Sequence, residues 1–186
     1  MKTTRLRGLA LWLLVGALVP VTASAGGSSF QTANMQNFGA GTYALGAAAL
    51  TRHASGIHLR VSGSVFTGYA VYSAWFIIFN NPDNCAGGPG ACAGSDLGNP
   101  AVDGAVLNAG GFVASGDGMG YFSGTLSSGP APDGMPEFGK LNNGNKAEVH
   151  VLLLDHGARN PGEIAAHMFH PAGGAPHYFF IFPPAD

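Results

Sequence analysis

Apolar and polar residues alternate along several short segments of this chain, which is the pattern of half-buried β-strands. The clearest example is residues 57–63, where isoleucine, leucine and valine alternate with polar or charged side chains. Residues 70–80 are apolar at both parities instead, which predicts a central strand covered on both faces. This run ends before Pro82, because proline cannot donate a hydrogen bond to a strand ladder.

Turn-forming residues separate these segments from one another. The sequence Ala54-Ser55-Gly56 lies between the first two strands, and Ser115-Gly116-Asp117-Gly118 marks a β-hairpin later in the chain. A long stretch rich in glycine, proline and asparagine follows at 127–146. The pattern predicts seven strands, at residues 47–53, 57–63, 70–80, 104–114, 120–126, 147–154 and 178–182.

One helix is predicted, at about residues 161–170. Asn160 suits the N-cap, Pro161 suits the first helical position, and Glu163 is placed to complete a capping box. About seven strands with a single short helix indicate an all-β fold. We expect an antiparallel β-sandwich, with a small barrel as the second arrangement.

The first residues of the chain predict export. Three basic residues precede an apolar run at 9–21, and small residues suit cleavage between Ala25 and Gly26. The run is shorter than the roughly 20 residues that a membrane-spanning helix needs, so the mature protein is expected outside the cytoplasm without a membrane span. The predicted organisation is a signal peptide at 1–25, a flexible N-terminal segment at 26–41 and a single domain at 42–186.

Charged residues are scarce, and acidic ones predominate. The formal net charge is −2, and it becomes −5 once residues 1–25, with Lys2, Arg5 and Arg7, are removed. The five remaining basic residues are scattered, so we expect neither a nucleic-acid partner nor binding to anionic lipid. Low charge together with abundant glycine suits a turn-rich β domain better than a helical bundle.

The chain has two cysteines, Cys85 and Cys92, with six residues between them. An exported protein meets an oxidising environment, so we expect them to form a disulfide. The spacing differs from that of a CxxC redox motif, and so small a ring stabilises the fold by about 2–3 kcal/mol at most. Just before this loop, Asn80 and Asn81 end a strand, where their amides can bond the loop backbone.

Five of the seven histidines lie in the last 37 residues. Helical spacing puts Glu163, His167 and His170 on one face of the predicted helix. Strand parity puts His150 and His156 on one side of the chain. Imidazole and carboxylate groups suit zinc, copper or iron. The candidate ligands of such a transition metal are therefore His150, His156, Glu163, His167 and His170.

These residues also have a structural interpretation. Glu163 can act in a helix cap, and a histidine on an apolar strand is commonly a hydrogen-bonded core residue. Glu148 and His150 lie two apart on one strand, so they can form a buried charge-assisted pair or, in a hydrolase, serve as acid and base. The familiar GxSxG, HExxH and P-loop motifs are missing from the sequence.

Two sequence blocks carry a resemblance to known proteins. One is FNNP at 79–82 followed by the two cysteines, and the other is AEVH at 147–150 followed by His-Gly at 156–157. Together they resemble a widespread family of secreted bacterial β-rich proteins with no established activity, over about residues 42–157. Where that pattern has a basic residue and a serine before His-Gly, this chain has Leu154 and Asp155. The positions that the resemblance marks are Trp75, Asn80, Asn81, Pro82, Cys85, Cys92, Glu148, His150, His156 and Gly157.

The sequence favours a noncatalytic module with a binding or structural role. We expect it to be exported to the periplasm, the cell surface or the medium. Its ligand or protein partner cannot be identified from the sequence. The alternative is an extracytoplasmic metal-binding protein or a hydrolase that uses the histidine and glutamate cluster. No cofactor is expected apart from the transition metal of that alternative.

Overall fold

Eight β-strands and one short α-helix make up residues 27–40, 42–130 and 139–185, the part of the chain that the computed structural model describes. The predicted signal peptide at 1–25 lies outside these residues. The all-β class with a single short helix is confirmed. The strands are β1 (Ser29–Asn37), β2 (Tyr43–His53), β3 (Gly56–Gly63), β4 (Ala70–Phe79), β5 (Gly104–Val113), β6 (Gly120–Ser127), β7 (Glu148–Ala158) and β8 (Ala175–Phe182), and the helix is α1 (Ile164–Phe169).

All eight strands belong to one antiparallel sheet, in the order β5-β4-β7-β8-β1-β2-β3-β6. The two edge strands meet where the carbonyl oxygen of Ala109 in β5 approaches Gly124 in β6 so closely that a side chain at Gly124 would collide with it. The sheet therefore curls into a nearly closed barrel. Of the two predicted arrangements the structure has the barrel, because all eight strands form one sheet whose edge strands β5 and β6 lie against each other, and the glycine at 124 permits that close approach.

The central strand β4 is buried on both faces, as predicted. Its inner side chains, among them Tyr72 and Phe76, belong to the barrel core. On the outer face, Phe79 packs in a small cluster with the two cysteines, Cys85 and Cys92. The remainder of that face lies beneath α1, which packs against β4 and β5. A loop and a helix thus supply the second layer that an apolar strand requires.

Aromatic rings fill the barrel beneath one of its ends. Phe66, from the loop between β3 and β4, packs edge-to-face against Tyr72, Phe112 and Tyr178, with ring centroids 4.8 to 5.6 Å apart. Such aromatic pairs each contribute about 0.5–1.5 kcal/mol beyond the area that they bury. Phe66 therefore closes the core at this end.

The barrel has two ends, which we name by what lies there. At the disulfide end, Phe79 pairs with Glu148 next to the loop of residues 80–103. At the groove end, Ala70 pairs with Ala158. Because β4 has 10 residues, these two ends lie about 30 Å apart along the strand.

The prediction of a flexible segment at 26–41 is wrong for Ser29–Asn37, which form β1. This strand pairs with β2 along most of its length and with β8 at Gln36 and Asn37. Met35 is its only fully buried side chain. The segment joins the sheet mainly through main-chain hydrogen bonds, which leave little hydrophobic pattern in the sequence.

The helix is shorter than the predicted 161–170. It begins at Ile164, because residues 161–163 form a turn in which the Glu163 amide donates to the Asn160 carbonyl at 2.9 Å. The Glu163 carboxylate accepts a hydrogen bond from the Asn160 side-chain amide at 2.9 Å and does not cap α1. His170 lies beyond the last helical residue, in extended backbone.

Candidate functional site

The disulfide end is organised around Glu148, which is fully buried. The predicted disulfide between Cys85 and Cys92 is confirmed. The Glu148 carboxylate accepts hydrogen bonds from the amides of Gly90 at 2.5 Å and Cys92 at 3.2 Å, both in the disulfide loop. His150 donates to the same carboxylate through Nε2 at 2.7 Å. Glu148 therefore holds the disulfide loop against β7, and its carboxylate is closed off from solvent.

A fully buried arginine, which the sequence analysis did not single out, lies at the same end. Burial lowers the pKa of Arg52 to about 10, although the charge of Glu148 acts in the opposite direction. Arg52 therefore stays charged at neutral pH, and it connects β2 to β1, to β8 and to the chain before β7. Its donors reach the side chain of Gln31 at 2.7 Å and the main-chain carbonyls of Gly144, Ala147, Phe182 and Pro183 at 2.8–2.9 Å.

Asn80 and Asn81 fasten loops at the disulfide end. The side-chain amide nitrogen of Asn80 donates hydrogen bonds to the carbonyls of Asp103 and Lys140, both at 2.8 Å. Its side-chain oxygen accepts a hydrogen bond from a main-chain amide at 2.9 Å. The Asn81 amide donates to the Ala101 carbonyl at 3.1 Å. Both side chains thus bond the backbone where β4 ends, which is the structural role that the sequence suggested.

A second polar group surrounds Asp155, near the other end of β7. Its carboxylate accepts hydrogen bonds from Gly157 N at 2.7 Å, Tyr72 Oη at 2.9 Å, Thr67 Oγ1 at 3.1 Å and His177 Nδ1 at 3.2 Å. Burial alone would raise the pKa of Asp155, but these hydrogen bonds outweigh it and hold that pKa below its ordinary value. Burial, reinforced by Asp155, raises the pKa of Tyr72 to about 12. The Asp155 carboxylate thus has all its hydrogen bonds with groups inside the protein.

His156 lies on the outer face of β7, beneath α1. Its Nε2 is 2.8 Å from the Oγ of Ser73, which also accepts a hydrogen bond from Trp75 Nε1 at 2.9 Å. The ring stacks on His167 of α1 with centroids 5.0 Å apart, and the Nδ1 atoms of both histidines are buried without a hydrogen-bond partner. Burial, followed by the charge of His167, lowers the pKa of His156, while Asp155 opposes the shift.

The five predicted metal ligands do not come together. His150 and His156 share one face of β7 but are six residues, or about 20 Å, apart. His156 meets only His167, while Glu163 and His170 are exposed on either side of α1. Within residues 27–40, 42–130 and 139–185, no three His, Cys, Asp or Glu side chains are placed to hold one metal ion. The single metal centre is therefore a wrong prediction, because strand parity gives the direction of a side chain but not its distance from the next.

An open groove of about 900 Å³ lies at the groove end of the barrel. A Cβ atom at Gly120 would collide with the rings of Phe112 and Phe66 in the core below, and one at Gly63 would collide with Met35, so glycines form its floor. Arg159 is the only charged side chain among the described residues that line it. Exposed large apolar side chains gathered around one open volume make this groove a candidate interaction site. Four large lining side chains are more than half exposed, namely Leu45, Tyr69, Met119 and Tyr121.

Tyr69 is held in the left-handed backbone region, with φ at +60°. This conformation costs a residue with a Cβ atom about 1–2 kcal/mol and is most often retained where function needs it. Its main chain is fixed by hydrogen bonds from its amide to Ser115 at 3.4 Å and from the Arg159 amide at 2.9 Å. The Arg159 guanidinium lies 5.3 Å from the centre of the Tyr69 ring. The backbone thus presents an aromatic ring and a cation together at the groove.

Sequence reasoning described the disulfide end but missed the groove. The groove residues come from four separate parts of the chain: the start of β2, the β3–β4 loop, the β5–β6 hairpin and the residue after β7. No motif unites them. The only signal in the sequence is a set of large apolar or aromatic residues, Tyr69, Met119 and Tyr121, next to turn glycines.

Comparison with protein-family models and with curated proteins finds no match to this chain. The resemblance to a secreted bacterial family therefore stays a prediction. Within the described ranges, none of the helices has the length and apolar character to cross a lipid bilayer.

Proposed function

We propose that this protein is a noncatalytic binding module that works outside the cytoplasm, and that the groove is its ligand site. One observation carries the proposal: the groove exposes large apolar side chains around an open volume, whereas the carboxylates of Glu148 and Asp155 are engaged in structure. Glu148 holds the disulfide loop, and Asp155 is surrounded by four internal donors. Concave, mostly apolar surfaces with few polar groups are the usual form of small-molecule sites.

The proposed location rests on two features. The first 25 residues have the pattern of a secretory signal, and Cys85 and Cys92 form a disulfide, which persists in oxidising compartments.

The alternatives have weaker support. Ser73 and His156 are spaced like a nucleophile and its base, but Ser73 is fully buried and its oxygen is already bonded to Trp75. A metal site would have to be built from His156 and His167 alone. The pair Glu148 and His150, considered as the acid and base of a hydrolase, has its carboxylate committed to the disulfide loop.

The test uses the exported, processed protein and N-phenyl-1-naphthylamine, a neutral aromatic dye that fluoresces in apolar surroundings. We expect saturable binding of one dye per chain. Tyr121→Ser should weaken binding up to about tenfold, since losing an aromatic contact with the dye costs about 0.5–1.5 kcal/mol in addition to the apolar area that the ring buries.

Phe30→Ser is the matched control, because Phe30 is 68% exposed, close to the 63% of Tyr121, but lies on β1 outside the groove. Binding by Phe30→Ser should equal that of the wild type. Absence of saturable binding, or equal losses in the two variants, would overturn the groove as the ligand site.

A further inference from the structure

The groove combines an apolar surface with a single cation. Arg159 is exposed, and among the described residues it takes part in no ion pair. Its guanidinium rests over the ring of Tyr69, which leaves its N–H donors free to face a ligand. Arginine binds carboxylate and similar oxyanions through two parallel hydrogen bonds, so the groove offers one specific anion contact.

The surroundings of Arg159 do not neutralise it. No carboxylate lines the groove in the described part of the chain. Asp117, in the adjoining β5–β6 turn, accepts a hydrogen bond from the Ser115 hydroxyl, and that bond lowers the pKa of Asp117. Asp117 therefore stays ionised, but it is bonded within the turn and forms no ion pair with Arg159 among the described residues.

The residues that line the groove come from several strands around the end of the barrel. Around the barrel, the groove passes from Arg159 and Tyr69, beside β7 and β4, over the gap between β5 and β6, to Tyr121 on β6 and Leu45 on β2. Leu45 is 73% exposed and has only small neighbours in the groove. The charged contact and the farthest apolar contact are thus separated by several strands.

We infer that the groove binds an elongated apolar or aromatic molecule that ends in a single carboxylate or sulfonate group, with the anionic end on Arg159 and the body along Tyr69, Tyr121 and Leu45. The inference rests on the proposed function, since it names the ligand class of the same groove. Charge complementarity fixes the orientation of the ligand, and burial of its apolar body supplies most of the affinity.

The experiment compares two dyes that differ by one charged group. 1-Anilinonaphthalene-8-sulfonate has the aromatic body of N-phenyl-1-naphthylamine and an added sulfonate. We expect the sulfonate dye to bind about tenfold or more tightly than the neutral dye, the range for a charge-assisted hydrogen bond. Arg159→Gln should remove this preference and leave the affinity for the neutral dye within about twofold. Lys140→Gln, which removes an exposed cation at the disulfide end outside the groove, should change neither affinity.

The outcomes separate the two proposals. If neither dye binds, or if the groove instead joins two copies of the chain in sedimentation analysis, the groove is not a small-molecule site and both proposals fail. If the neutral dye binds but the sulfonate dye binds no more tightly, or keeps its preference in Arg159→Gln, only the anionic ligand class is overturned. Displacement by decanoate but not by decanol would extend the support from the sulfonate to a carboxylate.

Discussion

At the disulfide end of the barrel two charged side chains are fully buried and bonded to main-chain groups, whereas at the groove end the one lining charge is exposed beside exposed aromatic rings. Arg52 and Glu148 illustrate the first case, with every contact internal. Arg159 and Tyr69 illustrate the second, with only the backbone of Tyr69 fixed by its neighbours. The same residue types thus serve stability at one end and remain available for binding at the other.

The difference shows that a cluster of reactive residue types is not in itself a site. Glu148 and His150 are the residues that sequence reasoning would select for acid–base chemistry, yet their geometry is that of a fastened loop. The groove has almost no reactive groups, yet it is the open apolar surface. Accessibility, rather than residue type, distinguishes the two ends.

The largest expected effect comes from Glu148→Gln. The new amide would direct N–H donors at the amides of Gly90 or Cys92, and Arg52 would lose its nearby negative charge. We expect the free energy of unfolding to fall by about 3 kcal/mol, the cost of breaking a buried charged network. Urea unfolding of the variant measures this loss.

Glu163→Gln is the control for that experiment, because Glu163 is exposed and should change stability by less than about 0.5 kcal/mol. Dye binding in the groove should be unaffected by either change. A loss below about 1 kcal/mol in Glu148→Gln would mean that the carboxylate is not a structural element.

Removing the disulfide should have a somewhat smaller effect. The Cys85→Ala, Cys92→Ala double variant loses a cross-link across a sequence separation of 7, for which the loop-entropy relation gives about 2.5 kcal/mol. Thermal unfolding should show a lower midpoint, while both dye affinities stay within about twofold. A large drop in dye affinity by the folded variant would show that the two ends are coupled.

The sequence predicted the strands better than their arrangement. β3, β4, β5 and β6 each begin and end within one residue of the prediction, because alternation and turn residues are local signals. β1 was missed because most of its side chains are polar and only Met35 is fully buried, so no apolar alternation marks it. The disulfide followed from composition and context, whereas the groove depends on how four distant segments meet at the end of a barrel, which no local pattern contains.

Acidification should weaken the fold in two separate steps. His156 has a pKa lowered from the ordinary 6.5 by burial and by His167, so between 6.5 and the lowered value the unfolded chain binds more protons. The free energy of unfolding should therefore decrease as the pH falls through that window and then level off. Asp155 has a pKa held below 3.8, so its contribution is lost only at lower pH.

Urea unfolding from pH 8 to the lowest pH at which the protein stays folded follows both steps. His156→Gln should remove the dependence in the upper window and preserve the loss at low pH. If the free energy of unfolding of His156→Gln still falls between pH 6.5 and the lowered pKa, the proton responsible binds to another residue.

Tyr69→Asn should change stability little but weaken dye binding. Asparagine accepts the left-handed backbone more readily than tyrosine, so the free energy of unfolding should change by less than about 1 kcal/mol. Affinity for both dyes should nevertheless fall, since the aromatic support for ligand and guanidinium is removed. Fluorescence titration and urea unfolding of the same sample measure the two effects, and an unchanged dye affinity would exclude Tyr69 from the binding surface.

The most direct test of the contrast between the two ends is a parallel titration of the wild type, Glu148→Gln and Tyr121→Ser with N-phenyl-1-naphthylamine, under conditions where all three are folded. We predict that Glu148→Gln binds the dye like the wild type although it unfolds at lower urea concentration. Tyr121→Ser should bind up to about tenfold more weakly at unchanged stability. The reverse result, with binding lost in Glu148→Gln and retained in Tyr121→Ser, would place the functional site at the disulfide end and contradict this account.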